Sequence, residues 1–409
     1  MSERHDVVII GAGQAGLAMS YWLRQRGREH VILERYRVAD RWYSQRWDSL
    51  CFQFPNWSLQ LPGYRYAGND PDGFSHRDAV IRFIEEYARF IQAPVQGSVE
   101  VKALDQDVAS GRFQLHTDCA SMEADSVVIA TGPYQHPIIP AASAALPPEV
   151  FQIHAGQYRH PAQLPPGAIL IVGAGSSGCQ IAEELRLHGR TVYLSAGRHR
   201  TAPRRFRGRD LLWWMLDMGK MDMTIDSLPD RKPLPPLLFT GVGGGHDINL
   251  RHLNDEGIHL LGGLRGIDGD KLMFSDNLGA IVDAADKALD EFKAAANAYA
   301  QTKGLELPED ASQGNGKART PLLPAAAGAF NWRARNVQTV IWCTGYRGGF
   351  DWVHLPVFDE NGMPRQRRGV TACAGAYFLG HNWMHTQKSS TLFGVGEDAA
   401  YLADMITAK

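Results

Sequence analysis

The fold is decided by the stretch Val-Val-Ile-Ile-Gly-Ala-Gly-Gln-Ala-Gly at residues 7–16. A short β-branched run leads directly into three glycines spaced G-x-G-x-x-G, and a helical pattern over residues 17–26 follows. The next predicted strand, residues 30–34, ends in Glu34, 23 positions after Gly11. This order of strand, glycine turn, helix and acidic strand end is typical of a unit that binds a dinucleotide.

The three glycines of this turn have different physical tasks. Gly11 allows the tight turn, Gly13 lets backbone N–H groups approach a diphosphate, and Gly16 lets helix and strand pack closely. The helix N-terminus adds partial positive charge. The carboxylate of Glu34 can accept hydrogen bonds from ribose hydroxyls and would repel a 2′-phosphate, so we expect FAD or NAD(H) here and not NADP(H). The residues expected at this first nucleotide site are Gly11, Gly13, Gln14, Ala15, Gly16, Glu34 and Arg35.

The same unit recurs downstream with a different ending. Residues 168–172 form a predicted strand, which leads into the turn Gly-Ala-Gly-Ser-Ser-Gly at 173–178 and a helix over 179–188. The strand after that helix ends in Ser195, with Arg198 close behind in place of an acid. A hydroxyl and a guanidinium suit a 2′-phosphate, which predicts NADP(H) at this site. The residues expected here are Gly173, Gly175, Ser176, Ser177, Gly178, Ser195 and Arg198.

The basic run over residues 198–209 has other interpretations, a solvated surface or a nucleic-acid patch. Its position after the strand favours the phosphate role for Ser195 and Arg198 and leaves that role open for the later arginines.

Two further apolar runs, each predicted to be a buried strand, end in the same Thr-Gly pair. Residues 126–130 lead into Thr131-Gly132, and residues 339–343 lead into Thr344-Gly345. Each is interpreted as a parallel strand that stops where backbone passes close to a ligand. Proline-rich stretches at 137–148 and 161–166 mark the linker before the second unit. We therefore expect an α/β fold with two Rossmann-like dinucleotide-binding domains, the second inserted into the first: residues 1–165 and 336–409 for the first domain and 166–335 for the second.

Apolar residues at three- and four-residue spacing predict an amphipathic helix over residues 278–303 within the second domain. The polar, glycine-containing stretch 309–319 predicts a mobile loop.

Composition excludes several classes of protein. The 409 residues carry a formal net charge of −2, which gives no general attraction to nucleic acid or membrane. The five cysteines fit no zinc spacing and contain no Cys-x-x-Cys, so neither a metal site nor a disulfide reductase is expected. No apolar stretch is long enough to span a bilayer and no signal-peptide pattern is present, so we expect a cytoplasmic protein. The sequence leaves open whether the protein is a monomer or a homodimer.

The paired glycine turns, the strand ends at Ala130-Thr131-Gly132 and Cys343-Thr344-Gly345-Tyr346, and the stretch Tyr-Phe-Leu-Gly at 377–380 carry a resemblance. Together they resemble the class B flavin monooxygenases, which include flavin-containing monooxygenases, YUCCA-type enzymes and Baeyer–Villiger monooxygenases. The resemblance covers nearly the whole chain and implies FAD in the first domain and NADPH in the second. It also implies a C4a-hydroperoxide of the reduced flavin, formed with O2, that oxygenates a small-molecule substrate at nitrogen, sulfur or a carbonyl or 2-oxo acid.

By the same resemblance, several residues outside the glycine turns would hold or serve the flavin. Related enzymes place an amide near the flavin from the segment 51–58, which makes Gln53 the first and Asn56 the second candidate for a catalytic hydrogen bond. Residues implied as cofactor contacts are Trp42, Val101, Thr131, Gly132, Thr344, Gly345, Gly380, Ser390 and Leu392.

Two departures from the family pattern narrow the implied activity. The motif F-x-G-x-x-x-H followed by an aromatic residue survives only as His154 and Tyr158, which argues against Baeyer–Villiger activity. His381 follows Gly380 where the family has Gly-Asp. Two alternatives also stay open, an NADPH:acceptor reductase that inserts no oxygen and a redox sensor that holds both nucleotides.

Overall fold

The structure is a computed structural model that describes residues 3–310 and 329–408 of the chain. Up to residue 154 its strands and helices are β1 Glu3–Ile10, α1 Gln14–Gln25, β2 His30–Glu34, α2 Asp40–Ser44, β3 Gln60–Leu61, β4 Tyr64–Arg65, α3 Arg77–Phe90, β5 Val95–Gly97, β6 Val101–Gln106, β7 Phe113–Thr117, β8 Ser121–Ile129, β9 His136–Pro137 and β10 Phe151–His154.

The elements that follow, up to residue 303, are β11 Ala168–Val172, α4 Ser176–Leu187, β12 Val192–Ser195, β13 Arg200–Thr201, β14 Arg205–Phe206, β15 Arg209–Asp210, α5 Leu211–Asp217, β16 Leu237–Leu238, α6 Leu250–Asp255, β17 His259–Leu261, β18 Leu264–Asp268, β19 Lys271–Phe274 and α7 Leu278–Lys303. The remaining elements are β20 Ala329–Asn331, β21 Val337–Trp342, β22 Tyr346–Arg347, β23 Gln366–Arg367, β24 Val370–Thr371, β25 Ala376–Phe378 and α8 Val395–Thr407.

The larger sheet is built around β1, whose apolar run is buried on both faces. Its strand order is β23-β24-β25-β8-β1-β2-β5, and β1 pairs in parallel with both β2 and β8. Strand β8 is long enough for two partners on its other side, because its first half pairs with β7 of the β6–β7 hairpin and its last residues pair with β25. The carboxyl ends of β1, β2, β8 and β25 therefore share one edge, where the first glycine turn also lies.

The second sheet has five strands in the order β10-β21-β11-β12-β17, and every pair is parallel. Buried side chains cover both of its faces, as expected for parallel strands enclosed by helices and loops. The mixed α/β architecture with two dinucleotide-binding domains, predicted from the repeated strand–turn–helix pattern, is confirmed.

Sheet membership differs from the predicted domain boundaries at two points. Strand β10 lies before the predicted start at residue 166, and β21 lies after the predicted end at residue 335, yet both belong to the second sheet. The proline-rich stretches 137–148 and 161–166 lie on either side of β10, and β10 pairs in parallel with β21, which is distant in sequence. We propose the division 3–150, 151–342 and 343–408, with the middle segment forming the second domain.

Helix α7 spans residues 278–303, as its apolar spacing predicts, and ends at Gly304, which adopts the left-handed conformation typical of a helix C-terminus. Of the predicted loop at 309–319, only residues 309 and 310 fall in the described ranges. No helix in those ranges combines the length and the apolar run that a membrane crossing requires.

Candidate active site

The first glycine turn is packed too tightly for any side chain at two of its three glycines. Gly11 has φ +109°, and a Cβ there would collide with the carbonyl oxygen of Ala130, at the end of the neighbouring strand β8. A Cβ on Gly16 would overlap the carbonyl oxygen of Gly11. At Gly13 a Cβ would meet no atom of the described chain within 4 Å. Space is therefore left on the side of the turn where Gly13 begins α1.

The second turn repeats this geometry with different residues. Gly173 has φ +107°, and a Cβ there would collide with the carbonyl oxygen of Cys343 at the end of β21. A Cβ on Gly178 would overlap the carbonyl oxygen of Gly173, whereas one on Gly175 would meet no described atom within 4 Å. Across residues 3–310 and 329–408, no side chain caps the first turn of α1 or of α4. Both helices thus present free N–H groups at an open glycine.

Both open turns face one cavity of about 850 Å³. It runs between the two domains, so residues from both nucleotide sites line the same space. The predicted site residues that line it are Gly11, Gly13, Gln14, Ala15, Glu34, Arg35, Trp42, Gln53, Val101, Thr131, Gly132, Gly173, Gly175, Ser176, Ser177, Gly178, Arg198, Thr344, Gly345, Gly380, Ser390 and Leu392. Gly16, Asn56 and Ser195 are not among the lining residues.

The carboxylate of Glu34 is fixed in place at the edge of this cavity. One oxygen accepts a hydrogen bond from the N–H of Ala12 at 2.8 Å, and the other accepts from the N–H of Tyr36 at 3.0 Å. Two ionised carboxylate oxygens have about four acceptor positions, so the group keeps capacity for ribose hydroxyls. The two backbone bonds orient it for that role.

Ser195 is a correction to the sequence-based prediction. Its side chain is only 2 % exposed, and its hydroxyl donates to the carbonyl oxygen of Gly262 at 2.8 Å. Its hydroxyl is thus used inside the protein, and Ser195 does not line the cavity. Arg198, three residues later, does line the cavity. Of the two residues predicted to hold a 2′-phosphate, only Arg198 lines the cavity.

Asn56 is a second correction. It is 4 % exposed, its amide donates to the carbonyl oxygen of Asp70 at 2.8 Å, and its side-chain oxygen accepts from the N–H of Ser75 at 2.7 Å. Both halves of the amide therefore brace the loop at 70–75. Gln53, in contrast, lines the cavity, and among the described residues none forms a hydrogen bond with its side-chain amide.

The later arginines, whose role the sequence leaves open, hold protein instead of facing the cavity. Arg204 forms a buried ion pair with Asp210, and Arg205 donates to the carbonyl oxygen of Asp72 at 3.2 Å. Arg200 donates to the carbonyl oxygen of Pro235 at 2.9 Å. The contact of Arg205 reaches the first domain, whereas those of Arg200 with Pro235 and of Arg204 with Asp210 lie within the second domain.

His154 and Tyr158, the remnant of the family motif, are buried. The Nδ1 of His154 accepts from the N–H of Gly156 at 3.1 Å, its Nε2 donates to the carbonyl oxygen of Gly345 at 3.0 Å, and burial lowers its pKa. These bonds fit a neutral imidazole that joins β10 to the end of β21. Tyr158 donates to Glu184 at 2.7 Å inside the second domain. Tyr158 therefore stabilises the second domain internally, whereas His154 connects that domain to the segment that follows β21.

His381 follows Gly380 at the position where the family has Gly-Asp, and the histidine ring packs against two aromatic rings. His381 lies between the rings of Phe350 and Phe378, and burial lowers its pKa to about 4, so the imidazole is neutral. The next residue, Asn382, accepts a hydrogen bond from the hydroxyl of Ser390 at 2.6 Å. The histidine therefore replaces the family's aspartate with a neutral, half-buried ring.

Several cavity residues are missed by the sequence reasoning. Arg41 donates to the side-chain oxygen of Gln135 at 2.7 Å, and burial lowers its pKa. The guanidinium of Arg46 lies 5.6 Å from the ring centres of both Trp42 and Tyr134. The only sequence signal for these arginines was a basic residue close to the predicted contact Trp42. Because many surface helices carry the same pattern, that signal did not identify them as cavity residues.

Comparison with known proteins agrees with this architecture. Residues 8–209 match the model of the pyridine nucleotide-disulphide oxidoreductase family. An uncharacterised CzcO-like oxidoreductase of Geobacillus kaustophilus is 33% identical over 98% of both chains. The probable indole-3-pyruvate monooxygenase YUCCA4 of Arabidopsis thaliana is 30% identical over 44% of this chain and 43% of its own length.

Among solved structures, the flavin-containing monooxygenase from Stenotrophomonas maltophilia superposes with a TM-score of 0.69 over 99% of both chains, at 19% identity. The chain belongs to the CzcO-like oxidoreductases. Its similarity to YUCCA4 and to the flavin-containing monooxygenase is a similarity to class B flavin-dependent monooxygenases. The resemblance inferred from the paired glycine turns and strand ends is confirmed. The protein is accordingly a flavin monooxygenase-like oxidoreductase.

The residues present in this flavoenzyme suit the two nucleotides of its family. The hydroxyl oxygen of Thr131 is buried, has no hydrogen-bond partner in the described ranges, and belongs to a residue that lines the cavity. A buried orphan acceptor and donor of this kind is expected where a bound group completes the hydrogen bonding. The open turns at Gly13 and Gly175 leave room beside two helix N-termini, which is where a diphosphate would be bound.

Proposed function

We propose that the protein is an FAD-dependent, NADPH-consuming monooxygenase that uses O2 to oxygenate a small organic substrate. The observation that carries the proposal is the unequal chemistry of the two open helix N-termini in one cavity. Glu34 accepts a hydrogen bond from Ala12 in the turn that includes Gly13. Arg198 lines the same cavity three residues after Ser195, whose carbonyl oxygen accepts from the N–H of Gly173 in the turn that includes Gly175. Glu34 favours a nucleotide without a 2′-phosphate, and Arg198 favours one that carries it.

When bound, FAD supplies the redox centre that exchanges electrons with NADPH and O2. The chain's own part is to bind and orient both nucleotides, to exclude water and to place a hydrogen-bond donor. Phe52 and Phe54, the residues before and after Gln53 in sequence, line the cavity, and their ring centres are 5.8 Å apart. The ring of Phe52 packs against Trp42, and the ring of Phe54 packs against Phe393. This apolar wall limits water around the amide of Gln53, which strengthens any hydrogen bond that the amide makes.

Replacing Gln53 with leucine is the test of this assignment. Loss of one hydrogen bond to a charged group costs about 1.5 kcal/mol or more, so we expect the reduced, NADP⁺-bound variant to return to oxidised flavin in O2 about tenfold faster than the wild type. Hydrogen peroxide formed per NADPH consumed should rise in parallel. Rapid mixing with absorbance detection and a peroxide assay measure the two quantities.

Gln60→Leu on β3, outside the cavity, is the matched control and should behave as the wild type. An unchanged rate in Gln53→Leu rejects the role of Gln53. A wild-type enzyme that itself returns to oxidised flavin as fast as it mixes with O2, and that converts all its NADPH to peroxide, is an acceptor reductase and rejects the monooxygenase proposal.

The Arg198→Ala variant tests the choice of pyridine nucleotide. A charge-assisted hydrogen bond to phosphate contributes about 1.5–3 kcal/mol, so kcat/KM for NADPH should fall roughly 10- to 100-fold, whereas that for NADH should be unchanged. Steady-state NAD(P)H oxidation gives both constants. The guanidinium of Arg209 lies over the ring of Trp213, and the Arg209→Ala variant is the control. Equal efficiency with the two nucleotides in both wild type and Arg198→Ala contradicts the assignment.

A further inference from the structure

The side chain of Arg204 connects the second domain to the segment of the first domain that carries Gln53. Its Nη1 donates to the main-chain carbonyl oxygen of Gln53 at 2.7 Å. The side chain is 2 % exposed, which makes it one of the largest fully buried side chains of the described chain. A charge buried this deeply at a domain boundary is costly unless it is paired and hydrogen-bonded.

The guanidinium is held from several directions. Asp210 takes it in a two-pronged ion pair, with Nε donating to one carboxylate oxygen at 3.0 Å and Nη2 to the other at 2.5 Å. The rings of Phe74 and Phe239 lie 4.9 Å and 5.5 Å from its central carbon. With the ion pair and the two rings in place, the donor aimed at Gln53 has little freedom to move.

Arg204 is also held at its main chain, and its partner Asp210 is itself fixed. The backbone N–H of Arg204 donates to the carboxylate of Asp247, and the carboxylate of Asp210 also accepts from the N–H of Leu212 at the start of α5. Position 204 is therefore fixed at its main chain as well as at its guanidinium. The neighbouring ring of Phe239 also contacts Phe54, 5.2 Å between centres, on the other side of Gln53.

We propose that Arg204 is a positioning residue that sets the direction of the Gln53 side chain by fixing its main chain from the second domain. The inference rests on the proposed function of Gln53. It assigns to the buried Arg204–Asp210 pair a part in the reaction that neither residue's position in the sequence suggests. Arg205, the next residue, contacts the exposed loop at Asp72 and supplies a natural comparison.

Arg204→Lys is the main test. A lysine can keep the ion pair with Asp210, but its single terminal nitrogen cannot replace the guanidinium fork that also reaches Gln53. We expect a folded enzyme that keeps its FAD and is reduced by NADPH at the wild-type rate. Its reduced, NADP⁺-bound form should return to oxidised flavin in O2 about fivefold faster, with more peroxide per NADPH, whereas Arg205→Lys should match the wild type.

A second readout tests the positioning independently of the flavin. The thiol of Cys51 lies two residues before Gln53 at the cavity, and its labelling by a thiol reagent, followed by peptide mass spectrometry, reports how firmly the segment is held. Labelling of Cys51 should be faster in Arg204→Lys and unchanged in Arg205→Lys. If the lysine variant does not fold, the double variant Arg204→Gln with Asp210→Asn removes both buried charges together and is measured instead.

The outcomes separate the two proposals. If Gln53→Leu speeds the return to oxidised flavin but the Arg204 variant does not, or if Cys51 labelling stays at the wild-type rate, the positioning inference is overturned and the role of Gln53 stands. If Gln53→Leu itself has no effect, the role of Gln53 fails and the inference about Arg204 fails with it.

Discussion

Replacing Gly13 with glutamate is expected to yield a folded protein that no longer retains FAD. The backbone at Gly13, with φ −83° and ψ −174°, is extended and open to any residue, and a Cβ there meets no described atom within 4 Å. The added carboxylate would, however, stand at the start of α1, where the FAD diphosphate is proposed to lie. Repulsion between like charges should weaken FAD binding at least about 100-fold, about 2.7 kcal/mol.

The measurement is the visible flavin absorbance of the purified protein and a titration of the apoprotein with FAD. Far-ultraviolet circular dichroism checks the fold. Gly13→Ala, which adds a methyl group into the same open space without charge, should keep FAD with no more than about tenfold weaker binding, about 1.4 kcal/mol. Wild-type FAD affinity in Gly13→Glu shows that the diphosphate does not lie at α1.

Local patterns were sufficient to predict the two glycine turns because the steric demand is local. Gly11 and Gly173 carry positive φ angles, and Gly16 and Gly178 each sit where a Cβ would strike the preceding turn. Only glycine satisfies these positions, so the spacing itself carries the geometry. The strand ends after Ala130 and Cys343 were also predictable, since each packs directly on the first glycine of its own turn.

Side-chain direction could not be predicted in the same way. Ser195 and Arg198 are neighbours in sequence, but the hydroxyl of Ser195 turns into the sheet towards Gly262, whereas Arg198 lies beyond the strand and faces the cavity. Gln53 and Asn56 differ likewise, because Asn56 is used to hold the loop that ends at Ser75. Whether a polar residue at a strand end or in a loop is free depends on distant partners.

The role of Arg204 could not be predicted from the sequence either, because it depends on which residues contact its guanidinium. Arg204 belongs to the same basic run as Arg198, and net charge alone suggests a similar role for both. The difference lies in Asp210, which neutralises Arg204 inside the protein, and in the approach of Gln53 from 151 positions away. Contacts over such distances arise only once both sheets have formed.

Replacing Gly175 with glutamate should impair the use of NADPH and leave FAD bound, whereas Gly13→Glu should lose FAD. The backbone at Gly175, with φ −76° and ψ 177°, also accepts any residue, and its Cβ would likewise enter open space. Since Gly175 starts the helix assigned to NADPH, the purified variant should be yellow with a full complement of FAD. Flavin reduction by NADPH should be at least about 100-fold less efficient, about 2.7 kcal/mol, for the same electrostatic reason.

Anaerobic rapid mixing with NADPH measures that rate, and dithionite provides the internal check, because a small chemical reductant should still reduce the flavin of Gly175→Glu at the wild-type rate. The two glutamate variants form a crossed pair, each with the other as its control. If Gly175→Glu loses FAD while Gly13→Glu keeps it, the two nucleotides occupy the opposite turns. Since Glu34 and Arg198 are the residues that distinguish the turns, such a result would also remove the basis for assigning NADPH by charge.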